Sequence, residues 1–218
     1  MAHCAILAVR ALLPYGCPVS AKPSTLTERR KAATQLDIAR AAARLFTEHG
    51  ADGTTAEAIA TAAGVAPRTF YRYFRTKEDA VAPLLVVGAD SWREHLVATE
   101  AGTPLLQAVE DAIRKTISAA DATPEFSWTR GLLRAAAGED SALAAVWHRV
   151  NGASETRLRP VLARLAPDTD ELTVDLVAAA ATDAIRISLE RWAKTAEKAA
   201  PVELAVQCFR RLSGGLEV

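Results

Sequence analysis

Apolar residues recur at helical rather than alternating spacing along most of the chain. Over 27–49, Ile38, Ala42, Leu45 and Phe46 fall at i, i+4, i+7 and i+8, the stripe of an amphipathic helix, and Gly50 is its expected stop. Asp52-Gly53-Thr54-Thr55 reads as a turn into a short helix over 56–63, with either threonine able to cap it. Gly64 breaks that helix, Val65 is expected to plug inward, and Pro67 suits the first turn of a third helix ending near Phe74. Thr76, followed by Glu78 and Asp79, is a capping site for a longer helix carrying Val81, Leu84, Leu85, Gly88 and Trp92. Beyond it, Pro104, Pro124, Gly138, Pro160, Pro167 and Pro201 punctuate helical segments over about 104–121, 125–137, 140–164, 169–195 and 201–213.

No alternating strand pattern and no internal repeat interrupts these segments, so the fold class expected is all-α. Three helices crowd into 26–76, which predicts a helix-turn-helix domain there and a larger helical domain over 77–215. Residues 1–25 contain Pro14, Gly16, Pro18 and Pro23 without helical period and are expected to form a disordered leader.

Composition sharpens this picture in two ways. Half of the 218 residues are hydrophobic but only 6% are aromatic, the excess being mostly alanine, which favours closely packed helices. The 26 basic and 26 acidic side chains cancel, but unevenly: nine Lys/Arg face five Asp/Glu over 22–75, whereas fifteen face nineteen from Val87 onward. The three cysteines, Cys4, Cys17 and Cys208, form no CxxC pair and fit a reducing cytoplasm. The apolar run 5–13 is interrupted by Arg10 and is far shorter than a membrane span of about 20 residues. No membrane partner is expected.

The chemistry concentrates in 54–77. A helix-turn-helix holds its second helix at a steep angle so that its N-terminal side chains enter the major groove. Ile59, Ala60 and Ala63 supply an apolar face on the first helix, Gly64 the turn, and Phe70 and Phe74 the buried face of the second. The opposite face carries Pro67, Arg68, Thr69, Tyr71, Arg72 and Tyr73, then Arg75 and Lys77; from Ala66 to Lys77 there are four basic residues and no acidic one. Arginine can fork onto guanine, threonine and tyrosine can bond phosphate, and lysine can neutralise backbone charge.

Ala39-Arg40-Ala41-Ala42-Ala43-Arg44-Leu45-Phe46, Gly50, Thr54-Thr55-Ala56-Glu57-Ala58-Ile59-Ala60, Ala63-Gly64-Val65, Thr69-Phe70-Tyr71-Arg72-Tyr73-Phe74 and Lys77-Glu78 together resemble the N-terminal domain of the tetracycline-repressor-like (TetR) family. The resemblance implies a three-helix DNA-binding domain, a larger helical domain with a ligand cavity, and dimerisation through the last two long helices. It places Thr54 or Thr55, Thr69, Tyr71, Tyr73 and Lys77 on phosphate-gripping positions and Pro67, Arg68 and Arg72 on groove-facing ones. Two residues depart from it: Arg68 stands where many members have glycine, and Ala66 where a Ser or Thr cap is common. Arg68 is therefore either a base reader or a phosphate clamp.

In the larger domain, 169–195 carries apolar residues on more than one face, including Leu172, Leu176, Val177, Ala184 and Trp192, as expected of a helix buried twice. Trp92, Ile113, Ile117, Phe126, Trp128, Leu133 and Trp147 are candidates for an effector cavity, with His95, His148 or Asp183 as polar handles. Aromatics at helical spacing are more often core than pocket. The function expected is a sequence-specific transcriptional regulator, a ligand-responsive repressor acting as a homodimer on a palindromic double-stranded DNA operator, with a hydrophobic small-molecule effector and no cofactor. The alternatives are a helical ligand-binding protein whose helix-turn-helix no longer binds DNA, and a novel helical enzyme. HExxH, GxSxG, a glycine-rich phosphate loop and closely spaced metal ligands are all missing from the sequence, so neither catalytic nor metal residues are assigned.

Overall fold

A computed structural model describes residues 25–216 except 101, 122, 138–140 and 198; the expected leader over 1–25 lies outside the described residues but for Thr25. The described residues form helices and no strand: α1 (Leu26–His49), α2 (Ala56–Ala62), α3 (Pro67–Tyr73), a single 3-10 turn (Glu78–Val81), α4 (Ala82–Val97), α5 (Leu105–Asp121), α6 (Pro124–Ala136), α7 (Ser141–Leu165), α8 (Glu171–Lys194) and α9 (Val202–Ser213). The chain is all-α, in two compact units divided between Val87 and Gly88. The first unit runs on past Thr76 because the 3-10 turn packs on α1 and Ala80, Val81, Leu84 and Leu85 are buried. Thr76 caps as expected, its hydroxyl accepting from the Asp79 amide, but the helix it opens begins as this tighter turn.

In the first unit, a capping box starts α1: the Thr25 hydroxyl accepts from the Glu28 amide and the Glu28 carboxylate accepts from the Thr25 amide. The helix buries Ile38, Ala42 and Phe46 as the periodicity predicts, leaves Leu45 half-buried, and stops at Gly50 with φ +74°. Thr55 caps α2 by accepting from the Ala58 amide. At the other end of α2, the Gly64 amide donates to Thr61 O and the Val65 amide to Ala60 O, the paired bonds of a Schellman turn with Gly64 at φ +68°. That turn re-aims the chain into α3. Val65 is half-buried there rather than a full plug.

In the second unit, α8 is the central element, packing against α5, α6, α7 and α9. Its buried Val174, Val177, Ala178, Ala181 and Ala184 meet Val109 and Ile113 of α5, Leu158 and Leu162 of α7, and Val206 and Phe209 of α9 in one core. The small alanines let the helices approach closely. The last carbonyls of α8 are satisfied from α6: Arg130 donates to Thr195 O at 2.6 Å with its guanidinium over the Trp192 ring, and Arg134 donates to Ala193 O. Pro160 does not end α7, which continues to Leu165.

The Schellman turn yields a paired prediction. A Cβ at position 64 meets no atom within 4 Å, so Gly64→Ala tests backbone conformation alone and should lower unfolding free energy by about 1–2 kcal/mol. Gly88, in helical backbone and equally open, should tolerate alanine with a gain of roughly 0.5–1 kcal/mol. Denaturant unfolding of the two variants checks both; equal stabilities would reject the turn.

Candidate nucleic-acid interface

The α2–turn–α3 segment fixes which side chains reach solvent. Phe70 is fully buried and Phe74 nearly so, their rings 5.6 Å apart, so the remaining side chains of α3 turn outward. Pro67, Arg68, Tyr71 and Arg72 are exposed and Thr69 and Tyr73 half-buried. Arg68 makes no hydrogen bond or ion pair among the described residues. The Arg72 guanidinium lies 4.9 Å above the Tyr73 ring and donates to its hydroxyl at 3.1 Å. Helix α3 has no side-chain cap, because Ala66 stands at its N-cap.

Three expected contact residues are already engaged within the fold. Thr54 is 2% exposed and its hydroxyl donates to Gly50 O at 2.8 Å, so it holds the α1–α2 turn rather than facing outward; Thr55 is the exposed one of the pair. Lys77 extends its ammonium to Ala51 O at 2.6 Å and lies 3.8 Å from the Glu78 carboxylate. It ties the segment after α3 to the turn before α2, with donors left over for a further acceptor. The Tyr71 hydroxyl donates to the Glu57 carboxylate of α2 at 3.1 Å. That bond, reinforced by the negative charge of Glu57, raises the Tyr71 phenol above its ordinary range.

Glu57 escapes pattern reading as a site residue. Its only signal is its place in the first turn of α2, where an acid also suits the helix dipole. Arg30 and Lys31 of α1 register in the sequence only as bulk charge, yet they share a groove with Arg72 and Tyr73.

The effector candidates do not all converge on one place. Trp92, Ile113 and Ile117 are packed into the core of the second unit, and Leu133 and Trp147 are buried on another side of it. Phe126 stacks on Trp192 at 4.5 Å, His95 Nδ1 sits 2.9 Å from the Thr116 hydroxyl, Trp128 is half-buried, and Asp183 pairs with Arg186. A concavity of about 150 Å³ gathers Leu133, Trp147, His148, Glu190 and Lys194, with the Trp147 indole donating to Glu190. Among the described residues no group of three or more His, Cys, Asp or Glu is placed to hold a metal ion, and no helix is long and apolar enough to cross a membrane.

The sequence profile of the bacterial regulatory proteins, tetR family, matches residues 38–82. The HTH-type transcriptional regulator TcmR of Streptomyces glaucescens is 36% identical over 93 residues, 42% of this chain and 41% of TcmR. The match thus spans about two fifths of that curated relative's length. Among solved structures, the TetR-family repressor FadR of Thermus thermophilus, in complex with lauroyl-CoA, superposes with a TM-score of 0.57 at 23% identity, over 84% of this chain and 95% of FadR. The TetR-family repressor AlkX of Dietzia reaches 0.57 at 18% identity, over 83% of this chain and 96% of its own. These structural likenesses show the fold: an N-terminal helix-turn-helix domain followed by a larger helical domain.

The bond between Tyr71 and Glu57 should be visible in solution. Removing the charge with Glu57→Gln should lower the Tyr71 ionisation toward the ordinary tyrosine range, measured by spectrophotometric titration with Tyr71→Phe identifying the phenol. A titration curve identical to wild type would reject the contact.

Proposed function

We propose, from the match of residues 38–82 to the bacterial regulatory proteins of the tetR family, that this protein is a sequence-specific DNA-binding transcriptional regulator of that family, acting as a ligand-responsive repressor. One observation carries the reading: a glycine turn fixes α3 so that an unpaired arginine, a proline, threonine and tyrosine hydroxyls and a second arginine face outward without one carboxylate of their own helix. Such a surface suits a phosphate-lined major groove. In this reading Thr55, Thr69, Tyr71, Tyr73 and Lys77 grip phosphates, Pro67 and Arg68 face the groove, and Arg72 lies beside them, held on Tyr73.

A homodimer supports the same function, because two recognition helices about 34–36 Å apart reach successive major grooves of a palindrome. The outer surfaces of α8 and α9 carry the apolar side chains this needs: Leu172 is 68% exposed, Leu176 44% and Leu212 47%. The second unit serves as the effector domain, its response set by a small apolar or amphipathic molecule. The concavity around Leu133 and Trp147 is the entry point for such a ligand, and it must widen to hold one, since ligand pockets usually measure roughly 300–1,000 Å³. Regulation of this kind works if the ligand favours a dimer whose two α3 helices no longer match the groove spacing. The site of action is the cytoplasm, and binding rather than catalysis is the activity.

Selection from a random duplex pool tests the central claim, with an enriched palindrome expected and no enrichment overturning it. On the selected operator, Arg68→Ala should cost about 1–3 kcal/mol and relax preference at one base pair per half-site. Equal loss on every sequence would assign Arg68 to phosphate instead. For the dimer, Leu176→Arg should shift the sedimentation of the protein from dimer to monomer and weaken operator binding. A wild-type chain that sediments as a monomer at all concentrations would reject it.

A further inference from the structure

A groove of about 460 Å³ lies between the N-terminal half of α1 and α3, lined by Thr27, Arg30, Lys31, Thr34, Arg72 and Tyr73. Its walls hold three cations and three hydroxyl groups and no carboxylate. Arg30 and Lys31 are exposed, and neither side chain has a hydrogen bond or ion pair among the described residues. The one acid in the first turn of α1, Glu28, is turned back onto the Thr25 amide at 2.7 Å and does not offset them. Like charges converging without a counterion repel one another, so an anion between them is stabilised by all three.

Arg72 belongs to this cluster rather than to Arg68. Its guanidinium is held over the Tyr73 ring and on the Tyr73 hydroxyl, and both side chains line the groove, whereas Arg68, one turn earlier, does not. We propose that this groove is a second phosphate-binding surface for the operator duplex, in which Arg30 and Lys31 of α1 grip the sugar-phosphate backbone together with Arg72 and Tyr73. Arg72 then positions the protein on DNA, and Arg68 is the arginine of α3 that reads a base. The inference rests on the DNA-binding function proposed above and adds an element, α1, to the reading head. The duplex is the occupant because the groove is continuous with α3, and a run of guanidinium, ammonium and hydroxyl donors along two helices matches a repeating phosphate chain.

The test is fluorescence anisotropy with the full chain, on a selected operator and on random duplex, over a range of salt concentrations. R30A/K31A should bind both DNAs more weakly by the same factor and lower the slope of log K against log salt by about 1.8, roughly 0.9 for each phosphate that is no longer neutralised. R30K/K31R, which keeps both charges, should retain the wild-type slope. R72A should weaken operator and random DNA equally and leave the selected base preferences unchanged. A wild-type slope in R30A/K31A would overturn the α1 contact, and a changed base preference in R72A would overturn its positioning role. Wild-type protein that binds neither DNA would instead bring down the DNA-binding function itself, so the two failures are distinguishable.

Discussion

A helix of seven residues does not hold itself together in water, since nucleation is costly and isolated helices below about 12–15 residues are marginal. Helix α3 has that length and lacks even a side-chain cap at its N-terminus. What keeps it is burial of Phe70, fully removed from solvent, edge-on to Tyr71 and tilted against Phe74, in a helix packed on α2. Burying a side chain of that size stabilises by roughly 1.5–3 kcal/mol, a sizeable share of the cost of ordering so short a helix at about 1–2 kcal/mol per residue. Helical hydrogen bonds and the neighbouring contacts offset the remainder. Once Phe70 points inward, helical geometry decides the outward set, and the chemistry of the surface follows from a packing constraint.

How much of this is legible in the sequence depends on the range of each interaction. The α1 stripe, the Gly50 stop, the Gly64 turn and the Phe70–Phe74 face are set by residues three to eight apart, and pattern reading recovers them. Lys77 is harder, because it bonds the Ala51 carbonyl 26 residues away. Thr54 is hard for a different reason: its bond to Gly50 O is local, but its burial against the α1 end, with Leu45 O also in reach, is set by the folded chain. Both residues suit phosphate by type. In the second unit, Trp92, Ile113 and Ile117 have the spacing of pocket and core alike, and only the folded chain shows them buried together in one cluster with residues of α8 and α9.

Both units pair some of their cations internally; in the first, Arg40 lies near Asp37 and Arg44 near Glu48. In the second, Asp90 lies between Arg93 and Arg157, Arg186 bridges Asp183 and Glu190, Arg210 pairs with Glu110, and Arg114 with Glu203. Such pairs at a surface add little stability individually, at about 0–1 kcal/mol, but they leave those cations already neutralised. In the first unit Arg30, Lys31 and Arg68 have no such partner among the described residues. The overall net charge of zero therefore conceals a local surplus, available to a polyanion.

Arg68 bears on how such a protein changes over generations. An exposed side chain with no hydrogen bond or ion pair among the described residues can be exchanged without disturbing Phe70, the Gly64 turn or the α1 cap. Mutations there escape the destabilisation that constrains buried positions. With Arg68 in the base-reading role proposed above, exchange at this residue would re-address the protein to a new operator while the scaffold keeps its stability.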